Sequence, residues 1–108
     1  MSGFSSQPRP RINFEHINRA ALPALPALCA RWLPDGRRIG REWIARNPHR
    51  DDRRAGSFSV NLSSGRWGDF ATGDRGGDPV SLAAFLHGLS QAEAARRLAE
   101  MLGLEARS

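Results

Sequence analysis

The last third of the chain carries the capping residues of two consecutive helices, and these residues constrain the fold more than any other feature. Asp78 followed by Pro79 predicts a helix start, because a carboxylate accepts hydrogen bonds from free backbone N–H groups and proline suits the first helical position. Ser90 with Glu93 predicts a second start through a capping box. A glycine follows each apolar pattern: Gly88 and Gly103. We therefore predict a C-terminal helical pair.

Three segments in the middle of the chain have the pattern of short antiparallel strands, namely residues 41–46, 57–62 and 66–70. The second segment alternates strictly, which predicts that three apolar side chains share one face: Phe58, Val60 and Leu62. The Ser-Ser-Gly sequence at 63–65 predicts a hairpin between the last two strands. These features predict a small antiparallel β-sheet.

The segment 13–32 is helix-like in composition but contains Pro23 and Pro26. An interior proline costs a helix about 3 kcal/mol, so we expect two short helices rather than one. An apolar stripe runs through the segment: Leu22, Leu25, Leu28 and Cys29. Residues 1–11 are predicted to be a disordered tail, and 12–108 a single α+β domain.

The composition favours a metal-free protein of the cytoplasm. Cys29 is the single cysteine, so neither an intramolecular disulfide nor a Cys-x-x-Cys metal site can form. We expect this thiol to be a small buried apolar group rather than a nucleophile. No segment approaches the roughly 20 apolar residues that a membrane span needs, so no membrane partner is expected. No base is paired with a nucleophile in any known motif, which predicts no catalysis and no cofactor.

The basic residues are concentrated in one region of the chain. All 16 are arginine, the formal net charge is +5, and ten of them lie within residues 31–75 together with five tryptophan and phenylalanine residues. Guanidinium groups pair with phosphates and flat rings stack on unpaired bases. The candidate binding residues are Arg41, Trp43, Arg46, Arg53, Arg54, Arg66, Trp67 and Arg75. The alternative interpretation is a solvated basic face with aromatic residues in the core.

Several motifs, in this order, resemble the zinc-binding domain of bacterial and phage DNA primases. They are Asn47-Pro48-His49-Arg50, Ser57-Phe58-Ser59-Val60, Asp69-Phe70-Ala71-Thr72-Gly73, Gly76-Gly77-Asp78, and Phe85 with Gly88-Leu89-Ser90-Gln91-Ala92-Glu93-Ala94. The resemblance covers residues 33–104. It implies a small zinc-ribbon-like sheet followed by the helical pair.

The positions of the family's four zinc ligands are all changed in this chain. They hold Asn47, Arg50, Asp69 and Thr72, none of which offers the thiolate or imidazole that tetrahedral zinc needs. We predict that Arg50 and Asp69 form an ion pair flanked by the other two residues, giving a hydrogen-bonded cluster where the metal would be.

The resemblance implies a role in reading single-stranded DNA during replication or priming. The chain is expected to lack the primase catalytic domain, and so to act as a non-catalytic accessory, encoded by a phage or another mobile element. Its expected partners are single-stranded DNA and a separately encoded primase, polymerase or helicase. The alternative is a protein–protein adaptor that uses the same scaffold to bind a replication protein or a host factor.

Overall fold

A computed structural model of the chain describes residues 12–46 and 57–104. Their fold is α+β, as predicted, with a long N-terminal helix, an antiparallel sheet and a C-terminal helical pair. The elements in chain order are α1 (Phe14–Trp32), β1 (Arg37–Ile39), β2 (Glu42–Ala45), β3 (Phe58–Asn61), β4 (Trp67–Asp69), β5 (Arg75–Gly76), α2 (Pro79–His87) and α3 (Gln91–Met101).

The five strands form one sheet in the order β1-β2-β3-β4-β5, and every neighbouring pair is antiparallel. The three predicted strands are confirmed as β2, β3 and β4. The hairpin at 63–65 is also confirmed, with Gly65 at a φ of 83° and its N–H donating to the carbonyl of Asn61. Sequence analysis missed the two edge strands, β1 and β5, which have only three and two residues.

The sheet has one face covered by helices and one open face. Opposite residues in adjacent strands share a face, so the register places Trp43, Val60, Trp67 and Gly76 together on the covered face. The row on the other face consists of Arg37, Ile44, Ser59, Gly68 and Arg75, and none of these residues is buried. We call this second surface the open face.

Helix α1 corrects the prediction of two short helices, because it runs unbroken for 19 residues with Pro23 and Pro26 inside it. At 100° per residue, Pro23 lies on the exposed side of the helix opposite its buried stripe, and the half-buried Pro26 lies on the flank of that stripe. That stripe consists of Ile17, Ala21, Leu25, Leu28 and Cys29. Burial of the stripe offsets the cost of the prolines. In the described part of the chain, no helix has the length and apolar character that crossing a bilayer requires.

The N-caps predicted at Asp78 and Ser90 and the glycine predicted to end α2 are confirmed, whereas the reciprocal capping box is formed by Asp78 with Ser81 and not by Ser90 with Glu93. The Asp78 side chain accepts from the N–H of Ser81, and Gly88 ends α2 in the left-handed conformation. The Ser90 hydroxyl accepts from the N–H of Glu93 at the start of α3. A contact between helices adds to these local caps, because the Asn18 side chain of α1 accepts from the N–H of Val80 at 2.8 Å.

A cluster of three aromatic rings joins the sheet to α2. Phe85 lies 4.7 Å from Trp67 and 5.9 Å from Phe58, between ring centroids. The Trp67 indole N–H also donates to the Ser81 hydroxyl at 2.9 Å. A Cβ on Gly76 would collide with both the indole and this hydroxyl, so the close approach of β5 to the cluster requires glycine there.

Candidate nucleic-acid interface

The open face forms a shallow basic surface across the whole sheet. Its central row begins and ends with arginine, Arg37 on β1 and Arg75 on β5. Four inter-strand spacings of about 4.8 Å separate these residues, or roughly 19 Å along the row. Between them the row has only Ile44, Ser59 and Gly68, of which glycine has no side chain at all. The centre of the face is therefore low and its edges are positively charged.

Phe70 is the most exposed large apolar side chain in the described part of the chain, with 86% of its surface accessible. It follows β4 immediately and, by alternation, has the same facing as Gly68. The two residues line one groove with Arg75 and the 73–74 turn. An aromatic ring, an arginine and a bare stretch of glycine backbone are thus side by side on the open face.

The backbone beside Phe70 is held in place by hydrogen bonds. The N–H of Phe70 donates to the carbonyl of Ser57 at 2.9 Å. The Asp69 carboxylate accepts from the N–H of Ala71 at 2.7 Å and from that of Thr72 at 3.4 Å. The exposed ring is therefore carried by an ordered turn, which lowers the entropy that a ligand must remove on binding.

Arginines dominate the charge of the open face. Arg66 precedes β4 and is opposite Asn61, and Arg46 follows β2, two residues after Ile44. Both side chains are therefore on the open face, beyond its central row. Carboxylates are also present: Glu42 of β2 has this facing, and Asp74 lines the groove beside Phe70 and Arg75. Within residues 12–46 and 57–104, none of the four arginines on this face is in an ion pair: Arg37, Arg46, Arg66 and Arg75.

Trp67 does not have the position that we predicted for it. Its side chain is only 7% exposed, on the helix-covered face, with its indole N–H bonded to Ser81. A base cannot reach a ring in this position, so the prediction that Trp67 stacks on nucleotides is wrong. For Trp67 the alternative interpretation is correct: it is an aromatic residue of the core.

Trp43 is also on the helix-covered face, opposite Val60, and is half-buried. Its indole N–H donates to the carbonyl of Leu33 at 3.1 Å, which ties β2 to the end of α1. Trp43 is therefore not a stacking residue on the open face. Arg41 is exposed at the end of the sheet, where its carbonyl accepts from the N–H of Leu62. It is two residues from Trp43, so by alternation it is on the same face as Trp43.

Of the eight predicted binding residues, the structure brings three together on the open face: Arg46, Arg66 and Arg75. Two others, Arg53 and Arg54, lie outside the described residues, as do Asn47 and Arg50 of the former zinc-ligand positions. The predicted ion pair between Arg50 and Asp69 stays a prediction.

The other two former ligand positions are in contact through the 69–72 turn. Asp69 is 3% exposed, and its carboxylate accepts from the Thr72 N–H. The Thr72 hydroxyl, however, donates to Asp74 at 2.8 Å. Over the described ranges 12–46 and 57–104, no three histidine, cysteine, aspartate or glutamate side chains come close enough together to hold a metal ion.

Sequence analysis missed Phe70 and Arg37 as candidate binding residues. Phe70 and Trp67 are three residues apart, so in an extended strand they must face opposite ways. That parity can be read from the sequence, but which of the two faces is covered depends on where α2 packs. Arg37 was missed because β1 is too short to show alternation.

No family model matches the chain, and no curated protein matches it.

Proposed function

We propose that the chain binds single-stranded DNA on the open face of its sheet, with Phe70 stacking on an unpaired base. The observation that carries the proposal is the 86% exposed ring of Phe70 on an ordered turn beside Arg75. Sheet surfaces with exposed aromatic residues stack unpaired bases in other proteins, and arginines beside them pair with the backbone.

The shape of the open face favours a single strand over a duplex. A duplex is read by an element that enters a groove, such as a helix or a protruding ribbon. The open face is low at its centre, where Gly68 lies, and its charges are at the edges. An unpaired strand can lie across such a surface with bases towards Phe70 and phosphates towards the arginines.

In this proposal the protein is a non-catalytic accessory of DNA replication or priming, as its resemblance to primase zinc-binding domains implies. Phe70 replaces Trp43 and Trp67 as the stacking residue, and Arg37 joins Arg46, Arg66 and Arg75 as phosphate contacts.

The proposal is tested by fluorescence anisotropy with a labelled single-stranded oligonucleotide of about 12 nucleotides, a length typical of single-strand sites. A stacked base contributes about 1–3 kcal/mol, so Phe70→Ala is expected to weaken binding by roughly 5- to 150-fold at any salt concentration. Phe70→Trp is the matched control, since it keeps a ring and should retain the affinity.

Repeating the titration across salt concentrations tests the arginines. Each lost phosphate contact lowers the slope of log affinity against log salt by about 0.7 for a single strand, so Arg66→Gln with Arg75→Gln should lower it by about 1.4. Arg19 and Arg96 already pair with Glu15 and Glu93, and substituting them with Gln should leave the slope unchanged. No oligonucleotide affinity in dilute buffer would contradict the proposal and favour the adaptor alternative. Equal affinity for Phe70→Ala would contradict the stacking role of Phe70.

A further inference from the structure

A second surface lies among the helices, where the end of α1, the end of α2 and the length of α3 meet around a groove of about 380 Å³. Its floor and walls are mostly apolar: Trp32, Ala83, Leu89, Ala94, Leu98 and Met101. Met101 is 44% exposed, and the Trp32 ring meets His87 edge to face at 5.4 Å. The groove therefore offers an open apolar slot that no described element of the chain fills.

The groove is separate from the open face because α2 uses two different sides. Ser81 and Phe85 are four residues apart and contact the sheet through Trp67. Ala83 and His87 are also four residues apart, about 200° around the helix from Phe85, and line the groove. The sheet and one side of α2 thus lie between the two surfaces, and both can be occupied at once.

The charge at the rim of the groove indicates what would bind there. Arg31 and Arg97 line it, and both are exposed. In the described residues neither is in an ion pair, and no carboxylate lines the groove. An occupant with an apolar body and negative charges on either side would satisfy both the floor and the rim.

We propose that this groove binds an acidic segment of a partner protein, in which one bulky apolar side chain enters the slot and flanking carboxylates pair with Arg31 and Arg97. The hydrogen-bonding groups between the two arginines are limited to the His87 imidazole and the single indole N–H of Trp32, and the other lining side chains offer none. A nucleobase needs such groups for its polar edge, whereas a leucine or phenylalanine side chain needs none. The chemistry of the floor therefore favours a peptide over a nucleotide.

The test starts from a random peptide library displayed on phage and selected on the full chain. The peptides enriched on the protein should share one bulky apolar residue flanked by Asp or Glu. Labelled synthetic copies are then titrated against Arg31→Gln with Arg97→Gln, for which a loss of affinity of about tenfold is expected from two charge-assisted contacts. The matched control is Arg19→Gln with Arg96→Gln, which removes the same charge outside this groove and should bind as the unmodified chain does.

A second variant tests the slot itself. Met101→Glu places a carboxylate on the exposed wall of the groove and should abolish peptide binding while leaving the melting temperature and the oligonucleotide affinity unchanged. The proposal is overturned if no acidic-apolar peptide is enriched, or if the groove variants bind the peptide as well as the control does. It is also overturned if Arg31→Gln with Arg97→Gln weakens oligonucleotide binding instead. Because Phe70→Ala does not alter the groove, failure of DNA binding and failure of peptide binding are distinguishable.

Discussion

Strand β4 and the turn after it present one large aromatic side chain to each face of the sheet, and the two have opposite surroundings. Trp67 is 7% exposed and packs against Phe58 and Phe85, whereas Phe70 is 86% exposed. The apolar area of Trp67 stabilises the fold, while that of Phe70 stays in contact with water and is available to a ligand. Aromatic residues three positions apart can thus have unrelated roles, and the covering helix decides which is which.

The largest expected effect comes from removing the buried ring. Trp67→Ala should lower the free energy of unfolding by about 3–5 kcal/mol, because it leaves a cavity and removes the hydrogen bond that the indole N–H donates to the Ser81 hydroxyl. Phe70→Ala should change it by no more than about 0.5 kcal/mol. Urea denaturation followed by circular dichroism measures both. If Trp67→Ala does not fold, Trp67→Phe keeps the ring, loses the N–H bond, and should cost about 1 kcal/mol. Equal losses for Trp67→Ala and Phe70→Ala would break the comparison between the two faces.

An intermediate effect is expected at the neighbouring strand. Gly76→Ala should destabilise the protein by about 1–3 kcal/mol, since the new methyl group would collide with the Trp67 indole and the Ser81 hydroxyl. Gly77→Ala is the matched control, because nothing lies within 4 Å of a Cβ at that position. Thermal melts of the two variants measure the difference. A Gly76→Ala variant as stable as Gly77→Ala would show that β5 does not pack tightly on the covered face.

The last expected effect is absent at neutral pH and appears only in alkali: a loss of stability due to Cys29, a buried residue of α1. Burial raises the pKa of this thiol from 9.0 to about 12. Between these values the thiol ionises in the unfolded chain but not in the folded one, so unfolding releases a proton. The free energy of unfolding should therefore fall by about 1.4 kcal/mol for each pH unit above 9.

The composition isolates this effect, because the chain has no lysine and no tyrosine that would titrate in the same range. Urea midpoints of the unmodified chain and of Cys29→Ala, measured from pH 8 to pH 11, provide the test. The variant should show no such decline. Identical slopes for the two proteins would mean that the thiol is accessible to water and that the helical layer is looser than described.

The candidate site was predictable only in part. Arg46, Arg66 and Arg75 were found because charged side chains in a strand-rich region stay at the surface whichever face they are on. Trp67 was assigned to the wrong face of the sheet, because the amino-acid sequence does not show which face the helices cover. Phe70 was missed for the same reason, although its parity relative to Trp67 was available from the sequence.

The sequence by itself determined the features that depend on neighbouring residues. Asp78 and Ser90 start their helices, and Gly88 ends α2, because a cap satisfies backbone groups within one turn of itself. The alternation of Phe58 and Val60 determined one face of β3 in the same local way.

Only the tertiary structure decided the features that depend on distant contacts. Burial of residues on one side keeps α1 continuous through Pro23 and Pro26, and that burial exists only when α1 packs on α2 and α3. Strands as short as β1 and β5 form because neighbours supply their hydrogen bonds, which no local pattern records. Whether Trp67 or Phe70 meets solvent is likewise set by the packing of α2, since period-two alternation defines two faces without saying which will be covered.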